Sequence, residues 1–398
     1  MPWKTCNQMD SKLSFITDYE RGGLSFAELC RRHEISRKTG YKWLNRYKLY
    51  GEQGLDNASR RPHCSPRRSS TYLEQLVVSI RKEHPAWGGR KIRRILQNQG
   101  VNDPLPAAST ITGILRRHGL IGAGMREGAK DIQRFERNEP NDLWQMDFKG
   151  WFQLHNRRRC YPLTILDDHS RYNIALEACS GENGKVVKPL LIKAFKRYGL
   201  PRQILCDHGC PWGKGLNADG AQIGTPKLEA WLMRLGVEVI HGRVRHPQTQ
   251  GKEERFHRTL KVEVLDQEYC WKDHRHCQDA FDQWQWVYNQ KRPHESLAMN
   301  TPSSRYVASH RSYPSELPAE ESYYLPEDVL RKVKSKGEIT FKNHFFYIGQ
   351  AYVDSPVALR HRVANKWDVY YCWKHLGTIN LLTTWKKKGR YHSIKGNL

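Results

Sequence analysis

Three carboxylates define the chemistry open to this chain. Asp147 stands in LWQMDF beside Trp144, Met146 and Phe148, and Asp207 ends the apolar run ILCD just before His208 and Gly209. Either aspartate alone reads as a turn or cap residue, because short carboxylates bond nearby backbone amides. Two such strand ends together with a glutamate from a neighbouring helix are a set of hard oxygen ligands. Such a set can hold a pair of Mg²⁺ ions about 3.5–4 Å apart, one activating the attacking oxygen and one stabilising the leaving oxygen of a phosphodiester.

The glutamate is Glu253 or Glu254. After HPQTQG, the segment KEERFHRTLKVEVL has Phe256, Leu260 and Val264 at four-residue spacing, the core face of a helix. Glu253, three residues before Phe256, leans toward that face. Glu254 lines up instead with Arg258 and Lys261 on the outward face, where a carboxylate and two cations suit a metal beside DNA phosphates, although a Glu254–Arg258 salt bridge would use the same spacing. Asp167 and Asp168, before His169-Ser170-Arg171, read as turn residues. Cys206 and Cys210 bracket Asp207, and HRHC occupies 274–277, but neither has the further ligands a zinc site needs.

These residues need a frame. LWQMDF, YPLTILDD and RYNIALEAC read as three neighbouring strands, followed by a helix over 184–198, the strand QILCD, a helix over 227–235 and the strand VEVI at 237–240. Strands alternating with helices in this way make an α/β domain. Upstream, Ser25-Phe26-Ala27-Glu28 fits a capping box, and a second helix opens at Ser36 with Trp43, Leu44 and Tyr47 inward, a helix-turn-helix pattern. Its second helix carries Lys38, Lys42 and Arg46, a basic stripe suited to DNA. A further module starts at the capping box Thr71-Tyr72-Leu73-Glu74. It continues with a helix over 88–97 that holds Arg90, Lys91, Arg93 and Arg94, and a third over 108–118 with Ile111, Ile114 and Leu115 inward. RRPHCSPRRSS reads as a cationic linker, and roughly 120–138 as a polar one. Beyond 327, EITFKNHFFYI, PVALRHRV and KWDVYYCW alternate as strands of a small β-barrel with Trp367, Val369, Tyr371 and Trp373 on one face; the basic, aromatic tail TWKKKGRYHSIKGNL suits phosphate and base contacts.

Charge narrows the partner. The 398 residues hold 66 Lys+Arg against 41 Asp+Glu, a net charge of +25, so the favoured partner is a polyanion and nucleic acid the first candidate. No apolar run reaches the roughly 18 residues of a membrane span and no signal-peptide core is present, so a cytoplasmic, nucleoid-associated protein is expected. The ten cysteines are scattered without a CxxC and are expected to be reduced thiols.

Over about residues 139–305, WQMDFKGWF, LTILDDHSRY, ILCDHG and HPQTQGKEERFHRTLK resemble the catalytic core of bacterial insertion-sequence transposases related to retroviral integrases. The resemblance implies a ribonuclease-H-like fold and a DDE triad carried onto Asp147, Asp207 and Glu254. It also implies a DNA-contacting basic residue seven positions beyond the glutamate, a place filled by Lys261. Seven beyond Glu253 is Leu260, so helical face and resemblance select the same carboxylate. The 47 residues from Asp207 to Glu254 exceed the family's usual spacing and point to an insertion in PWGKGLNADGAQIGT. The organisation expected is a helix-turn-helix domain at 1–62, a second at 66–120, a linker at 121–138, the catalytic core at 139–310, a connector at 311–330, and a C-terminal β-barrel with basic tail at 331–398. The expected function is that of a DNA transposase that binds the terminal inverted repeats of its element and target DNA, works as a homo-oligomer, and uses two Mg²⁺ replaceable by Mn²⁺. DNA contacts are expected from Lys38, Lys42, Arg46, Arg90, Lys91, Arg258 and Lys261. A DNA-binding regulator with the core as scaffold, or a nuclease without strand transfer, are the alternatives; intact carboxylates speak against the first and the added DNA-binding modules against the second.

Overall fold

The computed structural model describes residues 8–57, 69–101, 104–121, 136–207, 209, 211–212, 225–242, 251–268, 270–382 and 391–394. Most of both linkers, most of the Gly-rich segment after Asp207, His208, Cys210, HPQTQ and most of the C-terminal tail lie outside these residues. The chain divides into two compact units, Met1–Arg68 and Ser69–Leu398.

In the first unit, α1 (Gln8–Arg21), α2 (Phe26–Arg32) and α3 (Arg37–Tyr50) close around Phe15, Ile16, Leu29, Cys30, Leu44 and Leu55. The Ser25–Glu28 capping box forms as the sequence predicts, and Ser36 caps α3 through the Thr39 amide (3.2 Å). Between α2 and α3 the chain turns at Glu34, in the left-handed region at φ 56°. A Cβ on Gly40 would lie 2.7 Å from Cys30 Sγ, so glycine is what lets α3 cross α2 this closely. α1, which supplies Phe15 and Ile16, is not among the helices expected from the sequence.

The second unit begins with α4 (Thr71–Glu83), α5 (Gly89–Asn98) and α6 (Ala108–Arg117), packed on Leu73, Val77, Trp87, Ile92, Ile111 and Ile114. The capping box expected at Thr71–Glu74 does not form. Ser70, one residue earlier, takes the Leu73 amide (3.2 Å), which frees Glu74 to turn inward and pair with Arg117 (2.6 Å) and His118 (3.5 Å) at the end of α6.

The core sheet contains β1 (Leu143–Phe148), β2 (Phe152–Gln153), β3 (Arg159–Asp167), β4 (Asn173–Cys179), β5 (Gln203–Cys206) and β6 (Glu238–His241). β3 lies antiparallel between β4 and β1, β2 pairs with the start of β3, and β1, β5 and β6 run parallel. Helices α7 (Gly184–Tyr198) and α8 (Lys227–Arg234) cover one face through Val187, Leu191, Phe195 and Trp231 against Trp144, Met146, Leu163 and Ile165. On the other face α9 (Gly251–Leu260) and α10 (His274–Trp286) bring Phe256, Leu260, Phe281 and Trp284 against Cys160, Leu166 and Leu176. Alternation along a strand thus sends Trp144, Met146, Leu163 and Ile165 toward α7 and α8, and leaves Thr164 toward α9.

The C-terminal strands are β7 (Val329–Lys332), β8 (Glu338–Phe341), β9 (His344–Tyr347), β10 (Pro356–Val363), β11 (Lys366–Tyr371), β12 (Lys374–Asn380) and β13 (Tyr391–Ser393). They form two sheets, β12-β11-β10-β7 and β13-β9-β8, around one core that includes Ile339, Phe346, Leu359, Val369 and Tyr371. Among the described residues no ladder joins the two sheets, and no closed barrel is found there. The chain changes sheet at corners tied by Val333 N–H to Ser355 O and Gly349 N–H to Gly337 O, each 3.0 Å. Trp373 also departs from the expected face. It sits in the turn after Cys372 (φ 48°) and donates to the Met233 carbonyl (3.0 Å).

Candidate active site

The parallel ladder between β1 and β5 pairs Leu143 with Gln203 and Gln145 with Leu205, an offset of 60 residues. Asp147 and Asp207 have the same offset, so the ladder leads to both at the carboxyl ends of adjacent strands, where open α/β sheets bind their ligands. Burial first, then the charge of Asp207, pushes the Asp147 carboxyl up to about 7. Glu182 and Glu254 add to this, against the Phe148 N–H that donates to Asp147 Oδ1 (2.8 Å). Asp207 Oδ1 accepts from Gly209 N–H (2.9 Å), and its carbonyl accepts from His241 Nδ1 at the end of β6 (2.8 Å).

Helix α9 separates the two glutamates. Glu253 is buried with Phe256, His257 and Leu260, while Glu254 and Arg258 are exposed. Glu254 forms no ion pair with Arg258, and its charge acts on Asp147. Lys261 is exposed, begins a π-helical turn over Lys261–Leu265, and pairs with Asp266 at 2.5 Å. A polar group behind Asp147 was not expected from the sequence: Thr164, cross-strand partner of Asp147, meets Glu253 and His257. Its signal was available in HPQTQGKEERFHRTLK, where a glutamate and a histidine at i, i+4 share the apolar face.

Asp167 and Asp168 have another role. Asp167 accepts from the Ser170 amide (2.8 Å), the Ser170 hydroxyl (2.5 Å) and the Asn141 amide (2.7 Å). Asp168 accepts from the Arg137 amide (2.8 Å), Gln145 Nε2 (2.7 Å) and Lys252 Nζ. These saturated carboxylates fasten the turn after β3. Asp147, equally at a strand end, has one such donor and a like charge beside it, the setting in which a divalent cation relieves repulsion. Its neighbours Asp207 and Glu254 offer the oxygen donors that hard cations take. Among the described residues no three His, Cys, Asp or Glu groups are drawn together tightly enough to cage a metal, so Asp147 and Asp207 are adjacent and Glu254 stands near them without completing a closed set.

The expected DNA contacts divide. Lys38 and Lys42 are exposed on α3, whereas Arg46 donates to the Asp56 carbonyl (2.8 Å) and lies over Trp43. Arg90 is exposed and pairs with Glu295 (3.2 Å). Lys91 is half-buried where α5 meets the catalytic core, and burial, with Arg292 nearby, lowers it to about 8. Among the described residues no helix is long and apolar enough to cross a membrane.

Comparison with known proteins agrees with this architecture. Two integrase core domain models match residues 137–247 and 235–302, a helix-turn-helix domain matches 11–63, and a homeodomain-like domain matches 39–115. The insertion element IS476 uncharacterized 39.2 kDa protein of Xanthomonas euvesicatoria is 25% identical over 294 residues, covering 73% of this chain and 80% of that protein. The transposase for transposon Tn552 of Staphylococcus aureus is 23% identical over 389 residues, covering 88% and 78%. Among solved structures, the HTLV-2 integrase catalytic core domain in complex with magnesium is 14% identical over 42% of this chain and 97% of that chain, at a TM-score of 0.31. The integrase core family is divalent-metal dependent. With two helix-turn-helix-type matches ahead of an integrase core, this chain carries DNA-binding and integrase core domains and is similar to insertion-element transposases, which indicates DDE polynucleotidyl transferase activity in DNA transposition.

Proposed function

We propose that this transposase recognises the terminal inverted repeats of its own element and, with two Mg²⁺ held by Asp147, Asp207 and Glu254, first frees 3′-hydroxyl ends and then joins them to target DNA. The observation that carries the reading is the adjacency of Asp147 and Asp207 on parallel strands, with Asp147 pushed up to about 7 by burial and by Asp207. When bound, the cations supply Lewis-acid activation of the attacking oxygen and neutralise the leaving one. The chain's own residues hold and orient. Asp147 and Asp207 are fixed by the sheet, Glu254 is presented by the outward face of α9, and Arg258 and Lys261 on the same helix face the phosphates of the bound strand. Lys38 and Lys42 on α3 contact the element end. Assembly as a homo-oligomer on DNA at the nucleoid completes the reading.

The test uses labelled element ends, plasmid target and Mg²⁺. Asp147→Asn, Asp207→Asn and Glu254→Gln should each lower cleavage and joining by at least about 10³-fold while end binding persists. Glu253→Gln should retain most activity. Full activity in Glu254→Gln with none in Glu253→Gln would refute the assignment of the glutamate.

A further inference from the structure

Behind Asp147 lies a closed polar group. The Thr164 hydroxyl is 3.0 Å from the Asp147 carbonyl oxygen, 2.9 Å from Glu253 Oε2 and 2.9 Å from His257 Nε2. Thr164 is fully buried and Glu253 is 1% exposed. A hydroxyl offers one proton and two lone pairs, so Thr164 accepts from His257 Nε2–H and shares its single proton between the Asp147 carbonyl oxygen and Glu253 Oε2. Two of these partners belong to α9, and the third is the backbone of the residue whose carboxylate faces Asp207. Among the described residues the other oxygen, Glu253 Oε1, is buried without a hydrogen-bond partner. A buried carboxylate kept at that cost, where a leucine or methionine would pack, points to a task other than stability.

We propose that Thr164, gripped by Glu253 and His257, is a positioning residue for cation binding: it ties β1 at Asp147 to the helix that bears Glu254, and so fixes how those two carboxylates face each other. The inference rests on the triad reading above. Partners that orient metal ligands typically change metal affinity by roughly 10–100-fold when removed.

The test measures Mn²⁺ binding to the full chain without DNA, by the electron paramagnetic resonance signal of free Mn²⁺, alongside thermal melting. Thr164→Val keeps the shape and removes the hydroxyl; Glu253→Met keeps the packing and removes the tether. Both should bind Mn²⁺ roughly tenfold more weakly, and Glu253→Met should melt no lower than the parent. Glu253→Gln, whose amide still reaches Thr164, should stay within about twofold of the parent, since the partner is conserved. Parental Mn²⁺ affinity in folded Thr164→Val and Glu253→Met would overturn the proposal, as would weakened binding that only tracks a fall in melting temperature, or a loss in Glu253→Gln equal to that in Glu253→Met. Should Thr164→Val fail to fold, Glu253→Met decides. Asp147→Asn separates the two readings: parental Mn²⁺ binding there refutes the triad, whereas a loss there with none in Thr164→Val and Glu253→Met refutes the positioning role alone.

Discussion

In the module at 8–57 serine caps open α2 and α3, and α3 shows Lys38 and Lys42 to solvent. In the module at 69–121 a serine cap again opens the first helix, and a basic helix again follows. There Arg90 reaches Glu295, Arg94 donates to Asn300 (2.9 Å), and Val287 of the catalytic core packs against the module's own apolar cluster. Both modules contain a glutamate three or four residues after the capping serine. Glu28 stays in solvent and closes its box, while Glu74 is buried and binds α4 to the end of α6. Similar local signals therefore serve a solvent-facing helix in one module and a docked helix in the other. The difference lies in which neighbours each helix finds.

Exchanging glutamates gives the largest expected contrast. Glu74→Ala leaves Arg117 without its partner at a site where the carboxylate is buried but the guanidinium is half-exposed, so the loss should be about 2 kcal/mol rather than the full value of a buried pair. Glu28→Ala should lose less. Calorimetric melting of the full chain checks both, and equal losses would mean that Glu74 is only a cap residue.

Lys91 gives an intermediate effect of opposite sign. Its folded value of about 8 lies below the ordinary 10.5, so between those values the unfolded chain binds the extra proton. The destabilisation is fully present below pH 8, and stability should rise as pH climbs from about 8 to 10.5. Lys91→Met should stabilise the second unit by about 1–2 kcal/mol at pH 7, allowing for partial exposure, and should flatten that rise. Denaturant melts at pH 7 and pH 10 measure it; an unchanged slope in the variant would place Lys91 in solvent.

The smallest effect on stability, and the clearest on binding, belongs to the exposed cations. Lys38→Ala or Lys42→Ala should alter stability by no more than about 0.5 kcal/mol. Each should reduce the slope of log affinity against log salt by about 0.9 for every phosphate it no longer neutralises. Arg90→Ala, already paired with Glu295, should change that slope less. Anisotropy titrations on duplex DNA over a range of salt decide this, and equal slopes for Arg90→Ala and Lys42→Ala would erase the distinction between the modules.

Much of the catalytic core is legible from short-range pattern. β1, β3, β4, α7, β5, α8 and β6 lie within a few residues of where alternation and helical spacing place them, because each is either a strand of one sheet or a helix packed by one face on it. The orientation of α9 is legible for the same reason: Phe256, Leu260 and Val264 are buried, and that stripe alone turns Glu253 inward. α1 and α10 are not among the helices expected from the sequence, although Met9, Leu13 and Ile16, and Cys277, Phe281 and Trp284, keep helical spacing. The C-terminal strands were legible one by one, but whether alternating strands close into a barrel or split into two sheets depends on corner bonds between residues far apart in sequence.

The sequence by itself determined which carboxylates stand at strand ends and which glutamate faces outward, because side-chain direction follows from strand and helix periods. It also carries the resemblance to integrase-core transposases, through motifs lying within a few residues of one another. The tertiary structure decided what periodicity cannot encode. The register between β1 and β5 brings Asp147 to Asp207, and the packing of α9 on the sheet encloses Thr164 with Glu253 and His257. The docking of α5 on the core half-buries Lys91. Each of these depends on contacts between segments tens to hundreds of residues apart, whose energies exist only once both segments are in place.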